Sequence, residues 1–130
     1  MMANVLIVDD EEMDRFIGSR IVEDAGHTPF FAGDGEVALQ MYKDNDIALV
    51  ITDLQMPKVD GLRLIRELLE YDPAANVIAV SGHASQLEKA ERYGAVVGLV
   101  KPVEPQKLIE RVQEVLARLA IEGDLWGKGR

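Results

Sequence analysis

Val5-Leu6-Ile7-Val8-Asp9-Asp10-Glu11-Glu12 decides how the rest of the chain is read. Four aliphatic residues run without a polar break and give way at once to four acids. An apolar run of that length, with no alternation, suits a strand buried on both faces, as in a parallel sheet with helices on either side. Three more such runs follow at Ile47 to Ile51, Val77 to Val80 and Val96 to Val100, the last interrupted by Gly98. Thr28 to Ala32 is a weaker candidate and fits an edge strand.

The intervals carry helical spacing: Met13 to Ala25, Asp34 to Lys43, Leu62 to Glu70, Ser85 to Tyr93 and Pro105 to Ile121. In the third, Leu62, Ile65, Leu68 and Leu69 share one face. Gly26 and Gly94 stand where C-terminal caps belong, and Pro105 suits a first helical turn. Strand followed by helix, five times over, predicts an α/β fold: a three-layer sandwich around a five-stranded parallel sheet. A single domain over residues 1–122 is expected. Residues 123–130, glycine-rich and holding the one tryptophan, read as a flexible tail or linker stub.

Composition narrows the functions open to such a fold. The 130 residues include no cysteine, which excludes a disulfide framework, a thiolate nucleophile and a cysteine-based zinc site. It also suits a reducing compartment, and the cytoplasm is the expected location. Val5 to Val8 is too short for a signal-peptide core or a membrane span. Asp and Glu outnumber Lys and Arg 23 to 14, giving a net charge of -9 that repels nucleic acid and anionic lipid. Neither is an expected partner.

Ligands of open parallel sheets bind beyond the carboxyl ends of the strands. The residues there are Asp9-Asp10, Thr52-Asp53, Ser81-Gly82 and Lys101-Pro102. Singly, each has a plain explanation as a helix cap, a turn hydroxyl or a solvated charge, and Glu11, Glu12 and Asp14 fit a helix N-terminus. Together they bring three carboxylates, a hydroxyl and a lysine from different strands to one edge, and the plain readings become a set of coincidences. Clustered carboxylates raise one another's pKa unless a cation sits among them. All-oxygen ligation favours Mg²⁺, while His27 and His83, far apart in the chain, give zinc little support.

These residues, in this order, resemble the receiver domain of bacterial response regulators, over nearly the whole chain from Asn4 to about Ile121. The matching motifs are Leu6-Ile7-Val8-Asp9-Asp10, then Asp53-Leu54-Gln55-Met56-Pro57 with Gly61, then Ser81-Gly82, Gly94-Ala95 and Lys101-Pro102. The resemblance implies a flavodoxin-like strand order of 2-1-3-4-5. It implies Asp53 as phospho-acceptor, with Asp10, Asp53 and the Gln55 carbonyl as magnesium ligands and Asp9 acting through water. Ser81 and Lys101 would hold phosphoryl oxygens, and a cis Lys101-Pro102 bond would aim the lysine. The implied donor is a sensor histidine kinase or histidine phosphotransfer protein, and the implied target is a downstream effector, with homodimerisation open. His83 and Gln55 flank the approach of a hydrolytic water and are candidates for tuning the phosphorylated lifetime.

Two features depart from the family pattern. Gly98 stands three residues before Lys101, where receivers carry the Tyr or Phe that moves with the Ser81-position hydroxyl. Output is then expected through backbone and loop movement, or through a partner side chain that fills a gap at Gly98. The stretch from Ser81 to Gly94 is also slightly short. Rival readings fare worse: an Asp-nucleophile phosphatase needs a second Asp where Gln55 stands, and a flavin phosphate would be repelled by Asp9-Asp10-Glu11-Glu12. A receiver-like interaction module that is rarely phosphorylated is the remaining alternative.

Overall fold

All five expected strands form, and they lie side by side. In a computed structural model, the backbone is described for residues 2–56 and 60–126, and side chains are described through residue 119. Pro57 of the Asp53 motif and residues 127–130 of the expected tail lie outside the described residues. The order is β1 (Asn4–Val8), α1 (Glu12–Asp24), β2 (Thr28–Ala32), α2 (Gly35–Asp44), β3 (Leu49–Asp53), α3 (Gly61–Tyr71), β4 (Val77–Ser81), α4 (Ala84–Arg92), β5 (Val97–Val100) and α5 (Pro105–Trp126). The sheet is parallel with order β2-β1-β3-β4-β5, the flavodoxin-like arrangement.

Side chains alternate along a strand, so burial on both faces explains the unbroken aliphatic runs. Leu6, Val8, Val50, Val77 and Ala79 face one core with Ala38 and Tyr42 of α2, Leu64, Ile65 and Leu68 of α3, and Leu87 and Ala90 of α4. Val5, Ile7, Leu49, Ile51, Ile78 and Leu99 face the other, with Val22 of α1 and Val112, Val115 and Leu116 of α5. Buried His27 ties this second layer together at the other end of β1. Its Nδ1 accepts from the Ala3 amide at 3.1 Å, and its Nε2 lies 3.0 Å from Gln113 Oε1 on α5.

Local chemistry sets the ends of the elements. Asp34 and Asp60 cap α2 and α3 by accepting from the amides of Val37 and Arg63. Gly26 and Gly94 carry positive φ after α1 and α4, as their cap positions require. Most boundaries fall within one residue of expectation, and β3 and α5 shift further. β3 extends to Asp53 rather than Ile51, because Thr52 and Asp53 still pair with Ala79 and Val80 of β4 although their side chains are polar. α5 continues to Trp126 rather than Ile121, so the backbone of residues 123–126 is helical. A helical Gly such as Gly123 costs only about 1 kcal/mol against Ala and does not by itself stop a helix.

Candidate functional site

The parallel register brings the polar ends of β1, β3, β4 and β5 to one edge. Asp9 follows the last residue of β1, Asp53 and Ser81 end β3 and β4, and Lys101 follows β5. Asp9, Asp10 and Asp53 each offer a carboxylate oxygen, and these oxygens lie within 4.8 Å of one another. The Lys101 ammonium donates to Oδ2 of Asp53 at 3.0 Å. The Lys101-Pro102 bond is cis.

Asp53 is 5% exposed, and each of its oxygens accepts one hydrogen bond: Oδ1 from the Gln55 amide at 3.2 Å and Oδ2 from Lys101. A carboxylate oxygen has room for more than one bond, so both keep a free lone pair. Gly61 makes this geometry possible. A Cβ there would stand 2.5 Å from the Asp53 carbonyl oxygen and 2.6 Å from Leu54 Cα, so any larger residue would push α3 off the end of β3.

Asp9 is nearly buried, and burial, with the neighbouring charges of Asp53 and Asp14, pushes its carboxyl up to about 6. The Glu11 amide, bonded to Asp9 Oδ1 at 3.0 Å, and the charge of Lys101 hold it from rising further. Burial pulls the Lys101 amine down, but its hydrogen bond to Asp53 and the charges of Asp53, Asp9 and Asp14 outweigh that and raise it. Lys101 therefore stays a cation. Three crowded oxygens, one of them on a carboxyl that binds its proton more tightly than usual, fit a hard divalent ion that would replace that proton.

Ser81 sits fully buried beside these groups, and two bonds hold its hydroxyl. Oγ accepts from the His83 amide at 3.0 Å and donates to Gln55 Oε1 at 3.1 Å. The Gln55 side chain thus crosses from the β3–α3 loop to the end of β4. No sequence signal announces this contact, because the two residues are 26 positions apart, one on the β3–α3 loop and one at the end of β4. Arg15 is a second residue the sequence reading did not single out. Its Nη1 donates to the Asp9 carbonyl at 2.7 Å, fixing the turn that presents Asp9 and Asp10.

At Gly98 the structure corrects an expectation. There is no gap for a partner's side chain to fill, because α4 closes over the strand: a Cβ on Gly98 would lie 3.1 Å from both Cβ and Cδ2 of Leu87 and 3.4 Å from Glu91 Oε2. Leu87 and Glu91 of α4 thus stand over the position where the aromatic is missing. α4, at nine residues, is the shortest of the five helices, consistent with the short Ser81-to-Gly94 stretch.

Sheet order, acidic cluster and the lysine pair together define a receiver-type signalling domain. Residues 5–113 match the family model described as response regulator receiver domain, and the chain belongs to that family, whose members act as switches in two-component signalling rather than as classical enzymes. Among relatives, the chemotaxis protein CheY of Halobacterium salinarum is 32% identical over 118 residues, covering 89% of this chain and 98% of its own. Protein CcdB of Bacillus subtilis is 36% identical over 118 residues, covering 88% and 98%. Among solved structures, a CheX-CheY-BeF3-Mg²⁺ complex from Borrelia burgdorferi superposes with a TM-score of 0.83 at 34% identity, covering 88% of this chain and 89% of the other. Among the described residues, no helix is long and apolar enough to cross a membrane.

Proposed function

We propose that residues 1–122 form a phosphoryl-accepting switch in which Asp53 takes a phosphoryl group from a phosphohistidine on a sensor kinase or histidine phosphotransfer protein. The observation that carries this reading is the 3.0 Å pair between Lys101 Nζ and Asp53 Oδ2 beside two further carboxylates. A carboxylate alone at a strand end would be a turn residue, whereas one held by a fixed cation at a metal-ready cluster is an equipped nucleophile.

In this reading an Asp53 oxygen attacks phosphorus in line as the P–N bond to histidine breaks, and the bonding pair stays on the imidazole nitrogen. Phosphoryl transfer passes through a loose transition state, so the protein's part is to position the group and neutralise its charge. Lys101 would meet a phosphoryl oxygen as a point charge. Ser81 offers a hydroxyl proton to another. Asp10, Asp53 and the Gln55 carbonyl would hold Mg²⁺, with Asp9 acting through water. When bound, the ion supplies the positive charge that lets a phosphoryl group approach three carboxylates.

Gln55 and His83 border Ser81, and we assign them a part in setting the lifetime of the acyl phosphate. A downstream effector would read the surface changed by phosphorylation. The relative solved as a CheX-CheY-BeF3-Mg²⁺ complex supports a protein partner for this fold. A cytoplasmic location follows from such partners.

A second reading, an interaction module that is not phosphorylated, draws on the closed contact between Leu87 and Gly98. Incubation with a small phosphodonor and Mg²⁺, followed by intact mass, separates the two. The switch gains one phosphoryl group, lost with chelator and in Asp53→Asn. The interaction module gains none under any donor.

A further inference from the structure

Resting on that reading, the geometry points to Gln55 as the latch of the switch. We propose that its side-chain oxygen holds the Ser81 hydroxyl in the resting state, and that a phosphoryl group on Asp53 takes the hydroxyl and frees Gln55 toward α4. Gln55 is then a positioning residue that acts through Ser81, and it supplies the moving side chain that Gly98 lacks.

The bonding of Ser81 requires a choice. A hydroxyl has one proton to give, and the His83 amide already occupies an acceptor position on Oγ at 3.0 Å. The single proton therefore goes to Gln55 Oε1, 3.1 Å away. A phosphoryl oxygen asking for the same proton forms a charge-assisted bond, roughly twice as strong as a neutral one. The phosphoryl group wins the competition, and Gln55 Oε1 loses its donor.

The freed side chain has somewhere to go. Among the described residues, Gln55 lines a groove beside the start of α4, together with Leu54, Met56, Asp60, Leu62 and Gln86. The Gln86 amide bonds to the His83 carbonyl, and the His83 amide to Ser81, so this wall of the groove is joined to the switch hydroxyl through backbone. An aromatic ring moving at residue 98 has no such room, because Leu87 and Glu91 stand over it. The output side chain lies instead on the β3–α3 loop, on the far side of Ser81.

The test is a titration with beryllofluoride and Mg²⁺, followed by NMR, on the wild type, Gln55→Met, Ser81→Ala and the double variant. Methionine keeps the length of Gln55 and removes the acceptor. Losing one neutral hydrogen bond from the resting state makes Gln55→Met bind beryllofluoride about two- to tenfold more tightly. The His83 and Gln86 amides of this variant move toward their beryllofluoride positions before any ligand is added. In the Ser81→Ala background the same substitution changes nothing, which separates a latch acting through the hydroxyl from a merely structural role. Unchanged or weaker binding by Gln55→Met, or an equal effect without the hydroxyl, overturns the latch while leaving the phospho-acceptor reading intact. A wild type that shows no response to beryllofluoride overturns both.

Discussion

Lys101 and Asp53, 48 positions apart, meet at 3.0 Å because β5 and β3 run parallel on either side of β4 and stop at the same edge. The pair sits where the sheet ends, with the amine partly in solvent and the carboxylate buried. The carboxylate and its counter-charge are thus set by topology rather than by any local motif.

Lys101→Met tests the pair. A hydrogen bond to a charged group is worth roughly 1.5–3 kcal/mol, or about a ten- to hundredfold factor in rate where the bond is used in the transition state. Phosphorylation of Asp53 by a small donor should slow by that factor at saturating Mg²⁺. Quenched-flow mass measurement checks it, and a rate within twofold of wild type removes Lys101 from the chemistry.

Asp9 makes the metal-free domain pH-sensitive. Its folded carboxyl is raised from 3.8 to about 6, so the folded state binds the proton more tightly than the unfolded chain. Stability from this group is fully present below about 3.8, falls as pH rises between 3.8 and 6, and stays lost above. The loss amounts to roughly 2–3 kcal/mol at pH 7. Asp9→Asn, which cannot ionise, should raise the urea midpoint in chelator at pH 7 and make little difference near pH 4. An equal effect at both pH values would show that charge is not the cause.

Gly61→Ala should destabilise the domain by about 1–3 kcal/mol, the usual cost of forcing atoms into a filled site. The added Cβ meets backbone of Asp53 and Leu54, which cannot turn aside as a side chain would. Gly82→Ala is the control, since a Cβ there meets nothing within 4 Å. Thermal melts of the two variants compare them directly, and equal melting temperatures would refute the close-approach account.

How much of this was legible in the sequence follows from how the residues are buried. The strands were readable because Val5 to Val8 and its counterparts face two cores at once and so lose alternation. The edge strand Thr28–Ala32 was weaker because Phe31 remains half exposed. Strand order came from the family resemblance, since alternating strands and helices do not dictate which strand pairs with which. Asp9, Asp10, Asp53, Ser81 and Lys101 stand out in the sequence because each lies one or two residues past the end of an aliphatic run. The Gln55–Ser81 bond and the Arg15 contact to the Asp9 carbonyl do not, because each depends on a side-chain direction set by folding. Gly98 departs from the family pattern already in the sequence, but only the closeness of Leu87 shows that its space is taken.

Gly98→Tyr brings that last point to experiment. A ring on β5 must displace Leu87 and Glu91, at a cost of roughly 1–3 kcal/mol. Amide exchange over α4 should quicken, and Leu87→Ala in the same chain should recover part of the stability by making room. Full stability of Gly98→Tyr alone would mean that α4 is free to move aside.

The central claim is that Asp53 carries the phosphoryl group, and its most direct test is chemical trapping. An acyl phosphate is reduced by borohydride to an alcohol, which turns an aspartate into homoserine. After incubation with a small phosphodonor and Mg²⁺, peptide mapping should find homoserine at position 53, with Asp9 and Asp10 unchanged. Unmodified aspartate at 53, or reduction at Asp9 or Asp10 in its place, would contradict the account.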